Sequence, residues 1–267
     1  MKKYWTVAVL GWEDSLVYRF NALIWVLYAV LPAVTLMLVW LAAYQSGGQA
    51  NIGGYDLPQM MTYYICVTAL SVVITPHPEW EMAQQIRNGQ ITQFIVRPIG
   101  YFGYRLVQET SYQIVKSAMM LPTFALVVWL FRSYLQMPPF DVWRCFLFLL
   151  ATLFAYAMLS QIKFLLGISA FWIGEPGGFM EIWNILTRVF GGGMLPLSLL
   201  PSWLRAISVA LPFSSLYAFP MDLLLNRATP EDIVLGFTRQ VVWIIVLSLA
   251  VRWVWRRGLL AYEAYGG

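Results

Sequence analysis

The chain has 267 residues, of which 60% are hydrophobic and only 11% charged, and its mean hydropathy is +0.66. One soluble core of this length cannot hide so much apolar surface, which excludes an ordinary globular protein and makes lipid the solvent. The formal charge of +4 is modest, and the retention of Lys and Arg on one side of a membrane accounts for it without a nucleic-acid partner.

Residues 1–20 carry Lys2, Lys3, Glu13, Asp14 and Arg19, with no compact apolar run before a small-residue cleavage site, so they do not read as a signal peptide. Trp5, Val9, Trp12 and Leu16 recur at helical spacing, which would lay one face of a short helix in the membrane interface; a plain hydrophilic leader is the alternative. Six apolar segments follow, at 21–44, 59–74, 112–131, 143–163 with an extension to 173, 182–200 and 235–255. Most approach the roughly 20 residues that a helix needs to cross about 30 Å of hydrocarbon. Alternating strand patterns are scarce, which argues against an outer-membrane barrel. The expected fold is an all-α integral membrane domain over 1–267. It has six transmembrane helices, an N-terminal interfacial helix and short re-entrant external helices before the last span.

An even number of spans puts both termini on one side. With both inside, the cytoplasmic set is Lys2, Lys3, Arg19, Arg87, Arg97, Arg105, Lys163, Arg252, Arg256 and Arg257, against Arg132, Arg144, Arg205, Arg227 and Arg239 outside, a clear inside bias. The polar stretch 79–98 then becomes a cytoplasmic handle. Residues 79–88 have helical composition with Glu79 and Glu81 in the first turn, favourable against the helix dipole, and Gly89 is a good stop. Arg97 and Pro98 end the apolar stretch that follows. A short, rigid, charged element of this kind suits docking on another protein; an ordinary solvated loop is the alternative.

Arg105, Glu109, Tyr112 and Lys116 share a helix face. They form either a polar pathway into the third span or, as read here, a cytoplasmic helical extension with internal ion pairing and a snorkelling lysine. Arg188, inside the fifth segment, either meets an anionic substrate group or, as read here, pairs with Glu181 or Glu175. That segment is broken by Gly191, Gly192 and Gly193, followed by Pro196, Pro201, Pro212 and Pro220. It should loosen at the glycines and continue into one or two short helices dipping back from outside, as a gate or lining of a translocation route or simply as a loop packed on its own bundle.

Chemistry-bearing motifs are scarce. The lysines are Lys2, Lys3, Lys116 and Lys163, none preceded by glycine, so no P-loop is present. Cys66 and Cys145 lie in separate apolar segments and read as small apolar residues, and His77, the only histidine, has no ligand set around it, so no metal site is expected. No catalytic residue is assigned. Mid-membrane carboxylates of the kind a proton-coupled carrier needs are missing, since Glu109, Glu175, Glu181 and Asp222 fall near predicted span ends. The 13 Trp residues suit interface belts or a cavity for flat hydrophobic cargo.

Two motifs carry a family resemblance. Gly89, Ile91, Phe94, Ile95, Arg97 and Pro98 match a G-x-[LI]-x-x-[FY]-[LI]-x-R-P element. Gly192, Gly193, Pro196, Leu197, Pro201, Trp203, Leu204, Leu211, Pro212 and Phe213 match a later G-G-x-x-P-L-x-x-x-P-x-W-L element followed by L-P-F. In this order, across six spans, they resemble the membrane subunit of type-2 ATP-binding-cassette (ABC) exporters, nearest the bacterial antibiotic-transport or viologen-type permeases; Ile91 and Ile95 replace the commoner Leu. The resemblance implies a permease in the bacterial inner (plasma) membrane, paired with a second permease as homodimer or heterodimer. It also implies separate ATPase subunits, which bind ATP and Mg. The N-terminal helix and the 79–88 coupling helix, with Glu79, Glu81, Arg87, Gly89, Arg97 and Pro98, would grip the ATPase. Residues 191–220 would cover the exit, with Arg188, Gly191, Gly192, Gly193 and Pro196 at the gate or pathway. The rival readings are an ion-coupled secondary carrier and a membrane-embedded scaffold or enzyme; the first lacks a mid-membrane carboxylate and an inverted repeat, the enzyme an acid–base pair or metal-ligand set.

Overall fold

Helix-forming composition with few turn residues produces helices almost everywhere. The computed structural model describes residues 2–17, 21–48, 50–95 and 100–266, and among these the only β-pairing is an isolated bridge between Ile52 and Tyr55. In chain order the helices are α1 (Lys2–Val17), α2 (Asn21–Gly47), α3 (Leu57–Ile74), α4 (Pro78–Arg87), α5 (Thr92–Ile95), α6 (Tyr101–Phe131), α7 (Val142–Ile168), α8 (Gly177–Phe190), α9 (Ser202–Ala210), α10 (Ala218–Leu224) and α11 (Pro230–Gly266). Local chemistry sets several boundaries. Asp56 and Gln59 form a capping box at the start of α3, with Gln59 N donating to Asp56 Oδ1 at 2.8 Å. Asp141 caps α7 through Trp143 N at 3.0 Å. Pro76 and Pro78 separate α3 from α4, and Gly89, at φ +73°, turns the chain after α4 as its position in the sequence predicts.

Among the described residues, five stretches are long and apolar enough to cross a membrane: Val30–Gly47, Leu57–Arg87, Tyr101–Tyr134, Val142–Phe171 and Pro230–Tyr262. α3 is the axis of the bundle and the most buried, with α2, α6 and α7 around it; α11 packs on α7 and α1 lies along the first half of α6. The outer helices expose Leu31, Leu38, Leu121, Leu126, Leu149, Leu153, Ile245 and Leu249. Such a surface is stable where hydrocarbon surrounds it. The third span is longer than the predicted 112–131, because α6 begins at Tyr101 and extends beyond the apolar run.

The two ends of the bundle are distinct. At the α4 end, Tyr4 lies against Gly103, Tyr262 against Phe171 and Gly89, and Trp80 against Gly177. This gathers α1, the start of α6, the start of α8 and the far part of α11 on one side, as an even span count requires. At the opposite end, Ser198 donates to Gly53 O at 2.6 Å and Arg227 to Gly54 O at 3.1 Å. The chain therefore crosses once between residues 177 and 198, and this is the fifth of six crossings. The apolar segment predicted at 182–200 is not one helix: α8 ends at Phe190, because Gly191 to Gly193 cannot hold it, and the rest of the crossing is irregular. The two helical stretches after it, Ser202–Ala210 and Pro212–Leu224, meet at 73°. Both flanks of this pair, Ser198 and Arg227, bind the same turn at Gly53 and Gly54, so it returns to the side it left, the re-entrant arrangement expected from the prolines.

Candidate functional site

Two regions carry the polar chemistry, α4 with its supports and the turn after α8. The helix α4 is amphipathic at short range. Met82, Ala83 and Ile86 are buried, while Trp80, Glu81, Gln84, Arg87 and Asn88 face outward at the end of the bundle. Glu79 does not share that outward face. It is fully buried, so it cannot touch a protein docked on α4, which corrects its assignment to a gripping surface. Its Oε1 accepts from Lys163 Nζ of α7 at 2.5 Å and lies 3.6 Å from His77 Nδ1. Lys163 is 3% exposed and also donates to Asn184 Oδ1 of α8 at 2.7 Å. One turn along α7, Gly167 lets the α4 backbone approach: a Cβ there would stand 3.2 Å from Glu79 Cα and 2.9 Å from Met82 Cβ.

The outward carboxylate, Glu81, is half exposed and pairs with the buried Arg105 of α6 at 2.7 Å. Arg105, at the head of the 105–116 stripe, thus pairs between helices, because α4 folds onto the start of α6. Glu109 instead accepts from His77 N at 3.4 Å. Arg87 pairs with Glu175 and donates to Gly174 O at 3.1 Å, which fastens the end of α4 to the α7–α8 connection. Arg97 and Pro98 lie outside the described residues.

At the other region, the pairing expected for Arg188 does not form. Glu175 is taken by Arg87, no ion pair joins Arg188 to Glu181 among the described residues, and Arg188 is exposed on α8. The broken backbone after α8 is compensated by phenols and an amide that no motif in the sequence singles out. Tyr63 of α3 donates to Gly192 O at 2.5 Å and Tyr64 to Met194 O at 3.0 Å, while Trp40 Nε1 donates to Tyr64 Oη at 2.8 Å. Gln240 of α11 donates to Ser215 O at 3.0 Å, and Tyr217 Oη lies 3.3 Å from Thr75 Oγ1. Carbonyls freed by the break thus find donors inside protein, the condition for irregular backbone at membrane depth. Gly192 sits at φ +88°, and Pro196 opens the short 3-10 turn Leu197–Leu199.

Beside this region an open cavity of about 150 Å³ is lined by Tyr55, Gln59, Gln136, Met137, Leu225 and Arg227. The Arg227 guanidinium stands 3.8 Å over the Tyr55 ring, and burial pushes the Tyr55 hydroxyl up to about 12. Sequence reasoning placed Lys163 at a span end and missed Asn184. The available signal was a lysine closing a long apolar run, which needs a partner wherever it is buried.

A helical bundle with six crossings, a polar helix braced at one end and a re-entrant pair at the other defines a multi-pass membrane transport protein. A family model described as ABC-2 family transporter protein matches residues 30–266. The chain belongs to that family and is a membrane-spanning permease component of an ABC transporter; members associate with ABC ATPase partners and do not themselves hydrolyse ATP. No curated protein matches the chain.

Proposed function

We propose that this chain is the permease of an ATP-driven exporter in the bacterial inner membrane, with both termini and α4 in the cytoplasm. It pairs with a second permease, identical or homologous, and with two ATPase subunits that bind ATP and Mg. The observation that carries this reading is the two-sided character of α4: an outward face of Trp80, Glu81, Gln84, Arg87 and Asn88, on which Glu81 is tied to Arg105 of α6, and a buried face locked to α7 through Glu79 and Lys163. Such a lever accepts force from outside and delivers it to the spans. Closure of the ATPase pair on ATP would favour one arrangement of the bundle, because ATP shifts an equilibrium only through its different affinity for the two states. Alternating access or lateral release between the two permeases would follow, with the 191–220 region over the exit. The exposed apolar face of α8, with Ile182, Ile185 and the unpaired Arg188, suits a seam with the second permease, together with the first span.

Affinity purification from native membranes, mass spectrometry and an ATPase assay test the reading, repeated with Gln84→Trp, an oversized side chain on the outward face of α4. The expected result is a P-loop ATPase that co-purifies with the parent chain and is reduced at least fivefold in the variant. An ATPase-free chain that transports down an ion gradient would overturn it in favour of a secondary carrier.

A further inference from the structure

Resting on the permease reading, we infer that Lys163 is the joint through which α4 moves the fifth crossing, with Asn184 as the receiving side chain. The ammonium of Lys163 touches three helices at once: its own α7, α4 through Glu79 at 2.5 Å, and α8 through Asn184 at 2.7 Å. On the α4 side the attachment is tight. Glu79 is fully buried, the pair lies in a low-dielectric interior where a parted charge is costly, and Gly167 brings the two backbones together one turn away. A push on α4 is therefore carried to Lys163 as a rigid displacement.

On the α8 side the attachment is narrow. The main packing partners of α8 are the 212–215 turn and α9, both in the re-entrant region, and not α4 or α7. Its outward residues Ile182, Ile185 and Leu186 face away from the bundle. Asn184 thus supplies a directed bond from the braced end to the middle of a helix whose start is also held there, by Trp80 against Gly177 and by the Arg87–Glu175 pair just before it, and whose packing otherwise lies on the far side. Seven residues further along, two helical turns on the same face, stands Gly191. There the Ala218 amide donates to Gly191 O at 2.9 Å and Tyr63 to Gly192 O at 2.5 Å. Movement of Asn184 along the axis of α8 reaches this turn with little loss, since the intervening two turns are regular helix. Lys163 and Asn184 are positioning residues: they touch no cargo and no nucleotide, and set how far the turn at 191–193 follows α4.

The test uses the full chain with its co-purifying ATPase in a Cys66→Ala, Cys145→Ala background carrying Met194→Cys, an exposed position beside the turn. The rate of maleimide labelling is compared without nucleotide and after trapping with ATP and vanadate. The parent chain is expected to change its labelling rate at least fivefold on trapping. Asn184→Leu and Asn184→Ala should hold ATPase association and basal hydrolysis within twofold of the parent and reduce the trapping response to under twofold. Asn184→Asp, which restores an acceptor to Lys163, should recover it. A full trapping response in Asn184→Ala overturns the inference, and so does failure of Asn184→Asp to recover it. Absence of any co-purifying ATPase from the parent chain overturns the permease reading itself, and the two failures are told apart by that single parent measurement.

Discussion

Replacing Gly191, Gly192 and Gly193 one at a time by alanine should give three different results, because each glycine is required for a different reason. At Gly193 the new Cβ would meet Arg188 O and Tyr217 Cδ2 at 3.4 Å, an ordinary contact, and φ is not positive. Alanine fits there and, by restricting the unfolded chain, should be neutral or stabilising by about 0.4–1 kcal/mol. At Gly192, φ of +88° places an L side chain in a conformation costing about 1–2 kcal/mol, and the Cβ would stand 3.1 Å from Tyr63 Oη and 3.2 Å from Ala218 Cβ. At Gly191 the obstacle is steric. The Cβ would lie 2.7 Å from Tyr217 Cδ2, 3.2 Å from Phe213 O and nearer still to Thr187 O, a carbonyl already fixed by the Gly191 amide at 2.9 Å. Overpacking of this kind costs about 1–3 kcal/mol. With roughly 2–4 °C of midpoint per kcal/mol for a chain near this size, Gly191→Ala and Gly192→Ala should melt several degrees below the parent, and Gly193→Ala at or above it. Thermal unfolding in mild detergent, followed by the fluorescence of the 13 tryptophans, reads the order directly. Equal losses at all three positions would refute the geometry and reduce the motif to a flexible linker.

Two further outcomes follow from the buried polar contacts. Lys163→Met leaves the Glu79 carboxylate buried without its cation and should cost about 3–5 kcal/mol, whereas Lys163→Met combined with Glu79→Gln should regain most of that in the same melting assay; a double variant as unstable as the single one would count against the ion pair. Tyr63→Phe strands Gly192 O in a buried position and should lower stability by about 1–3 kcal/mol; a silent Tyr63→Phe would mean that the carbonyl finds another donor.

What the sequence by itself determined follows local rules. Composition set the solvent as lipid, the apolar runs set the number of crossings, and the carboxylates, Gly89 and the flanking prolines marked α4 with nearly its observed bounds. Proline spacing likewise announced the two helical stretches of the re-entrant pair, since proline acts on its own neighbours. The tertiary structure alone decided where the polar groups of α4 point and with whom they pair. Glu79 and Lys163 are 84 residues apart, and the sequence placed one on a docking face and the other at a span end; folding buries both in one contact. Arg188 had two acidic candidates nearby in sequence, yet one of them is drawn to Arg87 across the α7–α8 connection. The break in the fifth crossing was legible as three glycines, but not the tyrosines on α3 that make it tolerable. Capping, helix period and proline stops act within a few residues and so can be read in order along a chain. The match between a buried charge or a freed carbonyl and its partner depends on distances that exist only once the helices have packed.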